Sequence, residues 1–227
     1  TSSVMLSPSS KEYFKNGIVS GVKGAIVPGY YVLESGIAAV GDMFGWFVDH
    51  MVSEEYAEKA KAEGKNLHVY LTEKASELKP GESGVVALDW WNGNKTPYVD
   101  GRLSGVLVGC TLNTKSEEIY RALIEATAFG TRKIVEMYKE ANPDIRMIIA
   151  SGGIAEKNPL FMQIYADVLN CEIRLSATDQ TAALGSAIYA AVAAGKANGG
   201  YDSVEEAEYE SSEGKEIYPN PRECKNV

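Results

Sequence analysis

The chain of 227 residues carries 22 basic against 31 acidic side chains, a net charge of −9 with histidine neutral. That balance argues against nucleic acid or an anionic membrane as the main partner. With 45% of residues hydrophobic the chain can bury a sizeable core, yet no apolar run is long enough to cross a bilayer.

In chain order, Thr1 to Leu6 alternates loosely and predicts a strand that starts on hydroxyl residues. Gly24 to Leu33 predicts one or two strands around the turn signal Pro28-Gly29, closed by Glu34-Ser35-Gly36. Val40, Phe44, Phe47, Val48 and Met51 share one helical face. Gly41 and Gly45 are expected inside that helix, each costing ~1 kcal/mol against alanine. A neighbouring helix packed on bare backbone, or a ligand lying against it, would each explain them. Ser53 to Glu63 and Leu67 to Leu78 predict a pair of surface helices ended by Pro80-Gly81. Gly84 to Trp91 and Gly101 to Thr111 predict strands on either side of the Asn92-Gly93 turn. Thr114 with Glu117 resembles a capping box for a long helix, with apolar or small residues at 119, 123, 126, 130, 134 and 137.

Asn142-Pro143 ends that helix, and Ile148 to Gln163 follows as IIASGGIAEKNPLFMQ. It predicts a buried strand running to Ser151, the glycine pair Gly152-Gly153, and a helix opened by Asn158-Pro159, a preferred cap and first-turn combination. Glycines there admit another backbone or a flat ligand. They equally suit an ordinary strand-to-helix turn. Glu172 to Leu175 predicts a short strand, Ala182 to Ala194 a helix of small residues capped by Gly195, and Val204 to Tyr209 a last short helix in an acidic tail.

Strands alternate with helices without an internal repeat, so the class is α/β, one domain with a mixed sheet covered by helices. Cys110, Cys171 and Cys224 are too scattered for a disulfide framework, and His50 and His68 lack partners at metal-ligand spacing. TSSVMLSPSS shows no signal-peptide pattern, so a reducing cytoplasm is expected. Both ends, Thr1 without a methionine and the polar NPRECKNV, are expected to be cuts from a longer protein.

Five stretches in order resemble the FGGY carbohydrate kinases: IVPGYYVLESGIAAVGDMFGWF, LDWWNGNKTP, RLSGVLVGCTLNT with its long helix, GGIAEKNPLFMQIYADVL and QTAALGSAIYAAVAAG. One departure is Cys110, where the family usually has an aliphatic residue. The resemblance implies an actin-like (ribonuclease-H-like) nucleotide domain over residues 1–221, with 222–227 a polar tail. It implies ATP and Mg2+ as cofactors, and a preceding sugar-binding domain of the same protein that holds the catalytic Asp and most metal ligands. It implies an ATP site at Thr1, Ser2, Gly41, Gly45, Gly152, Gly153 and Asn158, backed by the helix of Ala183 and Gly185. It implies transfer of the ATP γ-phosphate to the 5-hydroxyl of L-ribulose, with Glu34 directed at the ketose. Glu34 could instead cap the helix expected after Gly36, and Asp89, Trp90 and Trp91 suit the core or a domain contact as well as a sugar platform. A related kinase for xylulose or glycerol, a non-catalytic actin-like assembly module, and a homodimer all stay open.

Overall fold

A computed structural model describes residues 2–176, 178, 180–209 and 216–218. The chain enters through β1 (Ser3–Ser9) and, after β2 (Val19–Ser20), returns antiparallel along β3 (Tyr31–Ile37). The sheet order is β1-β3-β2, so β3 is central and pairs Glu34 with Leu6 on one side and Val19 on the other. Glu34, Ser35 and Gly36 therefore lie within β3 rather than closing it. Helix α1 (Gly41–Met51) starts four residues after the strand ends; it is followed by α2 (Glu54–Ala62) and α3 (Leu67–Ser76). Gly41 is the first residue of α1, where the interior penalty expected for it does not apply.

β4 (Val86–Leu88) and β5 (Val106–Val108) form an antiparallel pair much shorter than the periodicity predicts. At the end formed by Val86 and Val108 the cause is steric. A Cβ at Gly109 would lie 2.2 Å from the Gly84 carbonyl oxygen, and both glycines hold positive φ. The pair is pinched shut by backbone that only glycine permits.

α4 (Ser116–Ala141) is the central post, with Leu123, Ile124, Thr127 and Ile134 wholly buried. Its cap is shifted by one residue from the sequence expectation: the Glu118 carboxylate accepts from the Lys115 N–H at 2.7 Å, while Thr114 Oγ1 accepts from Thr111. Arg121, though buried, makes three hydrogen bonds. It donates to Glu125 at 2.8 Å and to the Ala75 and Leu78 carbonyls at 3.1 and 2.9 Å, closing the C-terminal end of α3. Phe44 of α1 packs against Tyr120, with ring centroids 5.2 Å apart.

Beyond α4 come β6 (Met147–Ala150), α5 (Gly153–Lys157), α6 (Pro159–Leu169) and β7 (Glu172–Leu175). α7 (Thr181–Ala194), α8 (Val204–Tyr209) and β8 (Glu216–Ile217) complete the described elements. β6 and β7 are parallel and β8 is antiparallel to β7. The single mixed sheet of the sequence reading is thus corrected to three small sheets among the described residues, of which only β6-β7-β8 is mixed. β6 is not buried on both faces either: Ile149 is 66% exposed. The architecture is α/β, helices and small sheets around α4.

Candidate functional site

The glycine turn sits where β6 gives way to α5. Gly152 has φ +104°, a conformation that a side chain would strain, so glycine there is a backbone requirement. Gly153 already has ordinary φ, and a Cβ built at either position meets nothing within 4 Å. Among the described residues the space over the turn is open. Ser151 Oγ accepts from Thr181 Oγ1 at 3.3 Å, bringing the first residue of α7 beside the turn. A Cβ at Gly185 on that helix also meets nothing within 4 Å, and Ala183 is exposed.

Asn158 has two jobs within the chain. Its Oδ1 accepts from the Phe161 N–H at 2.9 Å, capping α6, and its Nδ2 donates to Thr72 Oγ1 of α3 at 3.0 Å. One amide hydrogen and one lone pair are left for a ligand. Gly45 lies inside α1 with open space at its Cβ position, so no described neighbour packs on bare backbone there. The packing explanation fails for Gly45 among the described residues. Ser2 is exposed at the entrance to β1, and Thr1 lies outside the described residues.

Glu34 is the one charged residue of β3. Directly paired residues of antiparallel strands point to the same face. Leu6, Glu34 and Val19 therefore form one row across the sheet, with both flanking apolar residues more than half exposed. The helix-cap reading of Glu34 does not hold, because α1 begins only at Gly41. Its partner is Lys95, whose Nζ donates to Glu34 Oε1 at 3.5 Å. One step along in each segment, Ser35 and Thr96 are buried in hydrogen-bond contact with each other. Both reach the Gly17 carbonyl, at 2.8 and 2.9 Å. Two hydroxyl protons thus serve three contacts.

The segment that carries Lys95 is fixed along its length. Trp91 lies against Trp46 of α1, with ring centroids 5.7 Å apart, and a Cβ at Gly105 would come within 2.1 Å of the Trp91 ring. Asn94 and Asp100 exchange two backbone hydrogen bonds of 3.0 Å, and Asn94 Oδ1 accepts from the Tyr98 N–H at 2.9 Å. Trp90 packs edge-on against Tyr98. Asp89 is buried, with its carboxylate against α4: a Cβ at Gly130 would lie 2.5 Å from Asp89 Oδ2. Burial pushes the Asp89 carboxyl up to about 6.

The sequence singled out Glu34 and the LDWWNGNKTP stretch separately, and the fold brings them together through Lys95 and Thr96. Lys95 itself was passed over. Nothing in a lone lysine beside a Thr-Pro marks it, although Glu34-Ser35, two polar residues in an apolar strand, implied a polar partner for each. The glycine turn belongs to a different sheet, and among the described residues no hydrogen bond or ion pair joins it to Glu34. No group of three His, Cys, Asp or Glu side chains among the described residues could hold a metal ion. No described helix is long and apolar enough to cross a membrane.

Comparison with known proteins bears on what this arrangement serves. The family model for the C-terminal domain of the FGGY carbohydrate kinases matches residues 1–194. A ribulokinase of Halalkalibacterium halodurans is 54% identical over 197 residues, 87% of this chain and 35% of the relative. One from Bacillus licheniformis is 53% identical over 191 residues, 84% of this chain and 35% of the relative. Among solved structures, the xylulose kinase of Rhodospirillum rubrum superposes with a TM-score of 0.79 at 24% identity, covering 99% of this chain and 42% of that one. The chain spans about a third of the length of the curated relatives it matches.

Proposed function

The chain belongs to the FGGY family of carbohydrate kinases, and from that membership we propose that it is the nucleotide-binding, C-terminal domain of a cytoplasmic enzyme that transfers the ATP γ-phosphate to the 5-hydroxyl of L-ribulose. The observation that carries this reading is the identity above 50% to ribulokinases over more than four fifths of the chain. Residues 1–221 are taken as one domain of actin-like (ribonuclease-H-like) fold. The rest of the enzyme supplies a sugar-binding domain, the catalytic Asp and the principal Mg2+ ligands.

Phosphoryl transfer needs little covalent chemistry from the protein; it needs positioning and charge stabilisation. In this reading adenine lies over the open turn at Gly152-Gly153, with the unused hydrogen-bonding capacity of Asn158 within reach. Gly45, free of any described neighbour, leaves α1 open to the ribose and phosphates, and Gly41 and the hydroxyl residues Thr1 and Ser2 contribute at the phosphate end. Glu34 accepts hydrogen bonds from ketose hydroxyls, since a carboxylate accepts without donating. The exposed apolar residues beside it, Leu6 and Val19, offer the carbon skeleton of the sugar an apolar surface.

The test is a comparison of acceptors. The whole kinase that carries this domain, supplied with ATP and Mg2+, is expected to release ADP with L-ribulose at a kcat/KM well above that for D-xylulose or glycerol. A higher kcat/KM for either alternative rejects L-ribulose as the substrate.

A further inference from the structure

Glu34 is half exposed, and a carboxylate on a flexible stem is a poor tool unless something holds it. Three features give it a fixed partner. The first is the 3.5 Å ion pair with Lys95, each side chain a little under half exposed. An isolated surface pair of that kind contributes little, because both side chains lose freedom to form it.

The second is what lies beneath. Ser35 and Thr96, the residues next along, are buried and bonded to each other and to the Gly17 carbonyl. Gly17 leaves no slack in that junction: a Cβ there would come 3.0 Å from the Pro97 Cα. Asn16 Nδ2 adds a bond to the Pro97 carbonyl at 2.8 Å. The backbones of β3 and of the Lys95 segment are therefore locked in register, and the cost of bringing Glu34 and Lys95 together is met before the two side chains meet. The third is the loop itself. The Asn94–Asp100 bridge and the seat of Trp91 over Gly105 hold Lys95 on a rigid frame.

We propose that Lys95 is a positioning residue for the sugar: it holds the Glu34 carboxylate on the open face of the β1-β3-β2 sheet, so that the carboxylate's free oxygen positions face a polyol. This rests on the reading of Glu34 as a ketose contact. With one Lys95 N–H on Oε1, Glu34 keeps Oε2 and a lone pair on Oε1 to accept from sugar hydroxyls. Lysine fits this role as a compact point charge with rotatable donors, and arginine would keep the charge and change the geometry.

The test uses the whole kinase, with variants Glu34→Gln, Lys95→Met, Lys95→Arg and the double variant Glu34→Gln/Lys95→Met. Steady-state constants are measured for L-ribulose and ATP, and thermal melting checks folding. Lys95→Met is expected to raise KM for L-ribulose about tenfold, the usual loss for one charge-assisted hydrogen bond. KM for ATP and the melting point should stay put, and Lys95→Arg should recover much of the loss. In the Glu34→Gln background, Lys95→Met should add little, because residues acting through one another are not additive. A raised ribulose KM for Glu34→Gln with an unchanged one for Lys95→Met overturns the role of Lys95 and leaves that of Glu34 standing. Fully additive losses also overturn it, since Lys95 would then act by itself. An unchanged ribulose KM for Glu34→Gln sinks the assignment of Glu34 to the ketose, and the role of Lys95 with it.

Discussion

Asp89 is a carboxylic acid buried against the backbone of α4, and no cation among the described residues forms an ion pair with it. The room for it comes from Gly130; any side chain there would collide with Oδ2 or with Ile37 Cδ1. Desolvation disfavours the charged form and lifts the carboxyl from 3.8 to about 6. The folded state therefore holds the Asp89 proton more tightly than the unfolded chain does. The stability linked to this proton is fully present below pH 4 and is lost as pH rises through 6; above that the buried charge costs about 3 kcal/mol. Asp89→Asn keeps the shape and removes the charge. It should stabilise the protein at pH 7.5 by up to that amount, with the gain shrinking to nothing near pH 4. Urea unfolding midpoints of both forms at pH 4, 6 and 7.5 check this, and parallel pH profiles would show that Asp89 carries no such penalty. The sequence leaves Asp89 between the core, a domain contact and a sugar platform; the structure makes it a proton-linked part of the core.

At the scale of elements, the turn between β6 and α5 separates two glycines that the sequence presents as a pair. Gly152 is demanded by its φ of +104°, whereas Gly153 is not demanded by its backbone or by any neighbour within 4 Å. The proposed reading explains Gly153 by adenine approaching from outside. Gly153→Val in the whole kinase should therefore leave the unfolding free energy within about 1 kcal/mol of the parent and weaken ATP at least tenfold, with L-ribulose binding unchanged. Calorimetry of both ligands checks it, and equal ATP affinity would return Gly153 to an ordinary turn residue. What the sequence made legible follows the same division between local and distant causes. α4, α6 and α7 could be read because helical period, the Asn158 cap and the Gly195 stop act within a few residues. β4 and β5 are shorter than their sequence pattern because the contacts beyond their two ends are distant in sequence: Gly84 with Gly109 at one end, the Trp91 ring over Gly105 at the other. β3 was drawn too short because Glu34-Ser35-Gly36 looks like a turn until β1 and β2 pair on both sides of it. Of the candidate site, the glycine turn and Glu34 were legible through resemblance to a family. Lys95 was not, since its meaning depends on Ser35 meeting Thr96, 61 positions away.

At the scale of the whole molecule, the described structure has an open side. Val4 and Leu6 of β1 and Val19 of β2 are each more than half exposed, and Glu34 stands among them. A sugar bound to Glu34 there would touch one wall only. Transfer to a hydroxyl also needs a group that takes the hydroxyl proton at the moment of attack. Asp89 has the raised affinity for a proton that a base can use, yet it is sealed under α4 and cannot reach a ligand. Glu34 is reachable, but the proposed assignment spends it on holding the ketose. Metal-assisted charge stabilisation finds no cluster of ligands among the described residues. The chain matches about a third of each relative's length, and the proposed function assigns the opposite wall, the base and the metal ligands to the remainder. The expected outcome is that this chain by itself binds ATP weakly and gives no ADP release that depends on L-ribulose. The whole kinase should turn over under the same conditions. A coupled ADP assay with matched concentrations of both proteins decides the matter. Ribulose-dependent turnover by the chain alone would mean that a base and a second wall exist within these 227 residues, and the division of labour between the two parts would have to be redrawn.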